Sequence, residues 1–154
     1  MSTDVTLDVT GLREQTDFTR ADLFLYGLDH SGPSYSIRVF LNAPDADRDT
    51  ALTDEAGYAG SVTVFGHGGC FGEEGHCDPR GPVTVFDRRL PHQLEPATRV
   101  LICTDAVRRA LGQRDQLQVR LVPLVRSSPF VTTEQREAPD DLLTVAEVAL
   151  RAYR

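Results

Sequence analysis

Hydrophobic residues recur at every second position through much of this chain. Val5, Leu7 and Val9 alternate with Thr6, Asp8 and Thr10, the signature of a half-buried strand. Leu23 to Leu28 is a second apolar run, closed by the turn sequence Asp29-His30-Ser31-Gly32-Pro33. Tyr35, Ile37, Val39 and Leu41 alternate with Ser36 and Arg38, while Phe40 on the other face predicts that this face is covered near the strand's end. The segment from Asn42 to Gly57 is rich in Pro, Asp and Thr and reads as a surface loop. Val62 and Val64 mark a strand running into Phe65, and a glycine-rich loop spans Gly66 to Gly81.

Val83 to Phe86 and Val100 to Cys103 are short apolar runs of strand type. Thr104-Asp105 opens a helix that Ala106 to Leu111 continues and Gly112 ends. Leu117, Val119 and Leu121 alternate with Gln118 and Arg120, and the polar stretch Ser127 to Asp141, with Pro129 and Pro139, reads as a loop. In the tail, Leu142, Val145, Ala149 and Tyr153 fit a helix. Leu143, Val145 and Tyr153 also share one strand face, and the strand reading is favoured. Seven or eight short strands, one short helix and turn-rich connections predict an all-β fold, mainly an antiparallel β-sandwich. With no internal repeat and no linker, residues 1–154 read as a single domain.

Composition narrows the functional classes. The chain is 40% hydrophobic and 25% charged, an ordinary globular balance. A net charge of −7 argues against a nucleic-acid partner, because phosphate binding requires a basic face. Every basic side chain is Arg, so Schiff-base chemistry and a P-loop lysine are excluded. The N-terminal residues lack a basic, apolar leader, and no run approaches the roughly 18 apolar residues of a membrane span. A cytoplasmic protein with no membrane association is the resulting expectation. Three cysteines in such a compartment read as thiols or metal ligands.

Candidate chemistry is concentrated between Phe65 and Arg80. Here His67, Cys70, His76 and Cys77 fall within eleven residues, among glycines that let the backbone fold tightly. Imidazole and thiolate together suit copper or zinc. His92 follows Pro91 on a nearby connection, and His30 lies in the turn after the second strand. All four histidines thus fall in loops, which cluster at the two ends of a sandwich. Ligand subsets such as His67, Cys70 and His76, or His67, Cys77 and His92, are open. So are a Cys70–Cys77 disulfide and turn histidines bonded only to backbone. The spacing is not a standard zinc pattern, since Cys70 and Cys77 lie seven apart. Cys103, in an apolar run, reads as a core thiol.

Other features are weaker. Asp45, Asp47, Asp49 and Asp54 read as a solvated acidic loop rather than a calcium site, because the ordered Gly and Glu of a calcium loop are missing. Glu73 and Glu74 could serve as a base or simply as a charged loop tip. Gly66-His-Gly-Gly is similar to an oxyanion loop, but no Gly-x-Ser-x-Gly elbow accompanies it.

Three segments carry a family resemblance. Tyr58-Ala-Gly-Ser-Val-Thr-Val-Phe-Gly resembles the strand of molluscan haemocyanins in which a His-Ala-Gly element leads into an apolar strand. Val100-Leu-Ile-Cys-Thr-Asp-Ala-Val-Arg-Arg-Ala-Leu resembles that domain's strand and Thr-headed helix. Asp29-His-Ser-Gly-Pro-Ser-Tyr-Ser-Ile-Arg-Val-Phe-Leu-Asn looks like the opening strands of the C-terminal domain in bacterial tyrosinase-like proteins. Together they resemble the C-terminal β-sandwich domain of the tyrosinase and haemocyanin (type 3 copper) family, over roughly residues 19–126. In that family two coppers sit in a separate four-helix bundle, held by three histidines from each of two helix pairs. Four histidines in the whole chain cannot build that site. The family's β domain packs over the bundle, so the resemblance implies an accessory or metal-handling module acting with a copper-enzyme partner. The alternatives are a small mononuclear copper or zinc enzyme built on the His67 loop, and a purely structural or self-associating module.

Overall fold

The structure is a computed structural model and describes residues 2–13, 17–68, 76–77, 85–86, 94–112, 115–125 and 142–154. Among the described residues, seven strands form two antiparallel sheets stacked face to face. The first sheet runs in the order β1 (Thr3–Asp8), β6 (Gln116–Val125), β3 (Tyr35–Leu41), β4 (Tyr58–Val64). The second runs β5 (Ala97–Ile102), β2 (Arg20–Leu28), β7 (Glu147–Tyr153). Two short helices complete the described fold, α1 (Thr10–Arg13) and α2 (Thr104–Leu111). The all-β sandwich expected from the period of two is therefore what forms.

Pairing registers carry the alternation into a core. In the first sheet Val119 lies between Val5 and Leu41, and Leu121 beside Val39. In the second, Leu23 lies between Leu101 and Leu150, and Leu25 beside Val148. Leu23, Leu25, Leu28, Ile37, Val39, Leu117, Val119 and Leu121 are completely buried. Each such aliphatic side chain contributes roughly 1.5–3 kcal/mol of burial free energy. Helix α2 closes the end of the sandwich with Val107 and Leu111 turned inward. The Thr104 hydroxyl does not cap that helix; it accepts the Ala21 amide at 3.0 Å, pinning the helix start to β2.

The two sheets differ on their outer faces. On the first, Phe40 and Val122 are buried with Ala46 beneath the connection between β3 and β4, and Ala43 and Tyr58 pack against them. Phe40 and Tyr58 meet as tilted rings with centroids 5.5 Å apart. Arg38 and Arg120 donate to the carbonyls of Arg48 and Ala46, lashing this roof down. The coverage that Phe40 implied is present, and the Asn42–Gly57 loop provides it. No such roof lies over the second sheet among the described residues.

Some expectations change. Val85 and Phe86 lie in a turn and are exposed rather than in a strand; Val83 and the rest of that run lie outside the described residues. The tail is a strand, but its core face is the even-numbered one. Val148 is buried, and Leu150 and Ala152 pack on the core, while Tyr153 faces outward. Leu143 and Val145 reach the core from the segment before β7 begins. Cys103 sits one residue beyond β5, at the head of α2, and is a buried free thiol as expected. The 127–141 loop lies outside the described residues.

Candidate functional site

Strands β2, β4 and β6 end, and β3, β5 and β7 begin, at one pole of the sandwich. Of the predicted histidines, His30, His67 and His76 gather there through backbone pairing. The His67 amide donates to the His30 carbonyl at 2.7 Å, and the Gly68 amide to the Gly32 carbonyl at 2.8 Å. The Gly66 amide donates to the Ser34 hydroxyl at 2.9 Å. Gly66 is required for this approach, because a Cβ there would overlap the backbone of Gly32 and Pro33. Two turns far apart in sequence are thereby fastened together.

A third segment joins them. The His30 ring nitrogen Nε2 lies 2.7 Å from the Glu95 carbonyl oxygen. A carbonyl only accepts, so Nε2 carries the proton and Nδ1 of the neutral ring carries the lone pair. Metal-bound imidazoles are oriented by the same kind of bond. Next to Glu95, the Leu94 amide donates to the Cys77 carbonyl at 3.2 Å, which draws His76 and Cys77 to the same pole. His76 and Cys77 form a buried turn. Cys77 is disulfide-bonded, so its sulfur is not a thiolate ligand in this state.

Electrostatics at this pole come from the turn at Asp29. The Ser31 amide donates to its carboxylate at 2.8 Å and holds the carboxyl below its ordinary pKa. The Asp29 carbonyl accepts the Tyr35 hydroxyl at 2.9 Å, and burial pushes that phenol's pKa up. Among the described residues no group of three or more His, Cys, Asp or Glu side chains is placed to hold a metal ion. The described imidazoles alone therefore do not complete a ligand set for copper or zinc. Cys70, His92, Glu73 and Glu74 lie outside the described residues.

The opposite pole carries a cleft of about 350 Å³ lined by Asn42, Asp54, Glu55, Tyr58, Arg109 and Ala110 among others. Arg109 and Asp54 form an ion pair of 2.7 Å across it. Asn42 has a left-handed backbone (φ 53) and bonds Ala110 through Nδ2 at 2.8 Å and Gln118 through Oδ1 at 3.1 Å. Of the acidic loop, Asp47 accepts the Thr50 hydroxyl and the Asp49 amide, and these bonds lower its pKa. These carboxylates hold turns and pair with Arg109. Sequence reasoning missed Asn42 and the Glu95 carbonyl, since neither residue type nor spacing announces a tertiary backbone bond.

No helix among the described residues is long and apolar enough to cross a membrane.

The β-sandwich fold that the sequence resemblance implied is the fold that forms. A solved structure of recombinantly expressed latent aurone synthase, a polyphenol oxidase, superposes with a TM-score of 0.51 at 16% identity. The match covers 98% of this chain and 24% of that one, consistent with that protein's C-terminal β-sandwich alone. The same enzyme co-crystallized with hexatungstotellurate(VI) and soaked in H2O2 gives 0.49 at 17% identity, over 99% and 24% of the two chains. No protein-family profile matches the chain, and no curated protein sequence does.

Proposed function

We propose that this chain acts as an accessory β-sandwich for a copper protein of the polyphenol oxidase kind, docking on a helical partner or assisting its metallation. One observation carries the reading: 98% of the chain follows the fold of a quarter of a polyphenol oxidase. The chain's four histidines are too few for the six-histidine binuclear centre that the resemblance places in a separate bundle. Chemistry on dioxygen then belongs to the partner.

The test is capture from the native cell with the tagged chain, followed by identification of what is retained. A histidine-rich helical copper protein recovered in stoichiometric amount supports the reading. Recovery of the chain alone, with such a protein present in the lysate, overturns it.

A second reading, a mononuclear copper or zinc site, is favoured by the convergence of the His30 and His67 turns and by the Nδ1 lone pair left on His30. His76 and His92 are the further ligands it would draw on, with Cys70 joining them only once the Cys77 disulfide is reduced. Elemental analysis of untagged protein tests it. One equivalent of metal, lost in both His67→Ala and His30→Ala, supports it, and no metal after reconstitution under reducing conditions overturns it.

A further inference from the structure

The outer face of the second sheet mixes exposed apolar and aromatic side chains with charged ones, is unroofed among the described residues and is electrically polarised along its strands. Its rows follow from the pairing. Tyr153 lies beside Arg20; Ile102, Asp22 and Arg151 form the next row; Val100, Phe24 and Ala149 the next; Tyr26 and Glu147 the last. Ile102 is 60% exposed, Val100 43% and Tyr153 40%. Phe24 and Tyr26 stack at 5.6 Å with their planes 10° apart, and Arg151 lies over Phe24 at 4.9 Å. The Asp22 carboxylate is buried and neutralised by Arg20 at 2.7 Å. Arg151 therefore leaves one end of the face positive, and Glu147 makes the other end negative.

We infer that this face binds a second copy of the chain, as a weak two-fold dimer. The charge pattern selects both partner and geometry. A two-fold axis lying in the interface, across the strands and through the Phe24 row, reverses strand direction between the copies. It sets Arg151 of each copy toward Glu147 of the other and brings the Phe24 rows, each overlain by its own Arg151, face to face at the centre. The alternative axis, along the strands, lays Arg151 over Ile102 and leaves the charge uncompensated. A two-fold interface is self-complementary by construction, which is what a face carrying one charge of each sign about an aromatic centre provides. Three strands by seven residues cover roughly 350 Å² in projection, against about 800 Å² per partner for a standard stable interface. The dimer accordingly forms and dissociates with concentration. This goes beyond the accessory role, which concerns a different protein.

The experiment is sedimentation equilibrium of the full chain from micromolar to millimolar concentration, at low and high salt, with circular dichroism to verify folding. The expected result is a monomer–dimer equilibrium weakened by salt. Arg151→Glu and Glu147→Arg each weaken it about tenfold by placing like charges at both symmetric contacts. Mixing the two variants restores association. In the heterodimer one contact pairs the two introduced side chains, which are opposite in charge, and the other contact keeps the native pair. A wild-type monomer throughout, or a dimer insensitive to both substitutions, overturns the inference. So does a mixture no tighter than either variant alone. If both variants misfold, Val100→Asp supplies the same reading: retained dimerisation overturns, and loss with a native spectrum supports.

Discussion

His67 donates its backbone amide to the carbonyl of His30 at 2.7 Å. The bond joins the end of β4 to the turn between β2 and β3, so two loop imidazoles hang from one fastened pair of turns. Their separation is set by backbone rather than by side-chain packing. That makes the pole sensitive to small changes in the glycines that permit the approach.

Gly66→Ala tests this dependence. The new Cβ meets the carbonyls of Gly32 and Pro33, which are backbone atoms with no rotamer to yield. The expected loss of stability is about 1–3 kcal/mol, the range for overpacking a filled site. Denaturant unfolding measures it. Gly32→Ala, with nothing near its Cβ, should cost far less.

Asn42 is predicted to be worth more than its exposure suggests. Asn42→Ala removes the bonds to Ala110 and Gln118 and keeps a left-handed backbone that alanine disfavours. Together these should cost about 3 kcal/mol. Asn42→Gly relieves only the backbone component, so it should recover roughly 1 kcal/mol of that loss. Equal stability of the two variants in chemical denaturation would contradict this division.

Burial pushes the Cys103 thiol up to about 11. Unfolded, the thiol titrates at about 8.5. The folded value is the higher, so the associated stability is complete below the unfolded value and is lost as pH rises through about 11. Wild type should therefore lose stability between those two pH values, and Cys103→Ala should lose less. Tyr35, whose pKa is also raised by burial, leaves a residual alkaline slope in the variant. In thiol labelling, folded protein should not react at neutral pH. Denatured, unreduced protein should show one thiol, since Cys77 is disulfide-bonded and Cys103 is free.

On the acid side, Asp29 has its pKa lowered by the Ser31 amide. Its contribution is complete above the unfolded carboxyl value and is lost as pH falls through the lower folded value. The stability difference between wild type and Asp29→Ala should therefore be present at neutral pH and shrink in strong acid. A difference independent of pH would assign the effect to the turn's backbone alone.

The period of two in β1, β3 and β6 was legible because each strand alternates core residues with mainly polar ones on its outer face, and Phe40 on that face correctly signalled a roof. The tail was harder. Leu143 and Val145 pack inward before the ladder starts, while Tyr153 faces out at its end, so a single alternation drawn through all three selects the wrong face. Helix α1 escaped notice because four residues, stabilised by Asp8 accepting the Thr10 amide, are too few to display a helical period. At the site, residue types announced the histidines and their loops. Their convergence depends on amide–carbonyl bonds between distant turns, which carry no side-chain signature. The pairing of Arg151 with Phe24 was invisible for a related reason, since it exists only once the register of β2 and β7 is known.

The roof between β3 and β4 also dictates how the molecule can be handled. It occupies one broad side of the sandwich, and Asp49 stands exposed upon it. A tether or fluorophore placed at Asp49 would anchor the protein by its closed side and present the Phe24 side to solution. The same group attached along β5 would blind that side. Immobilised binding measurements on this chain will therefore depend on which sheet is turned toward the support.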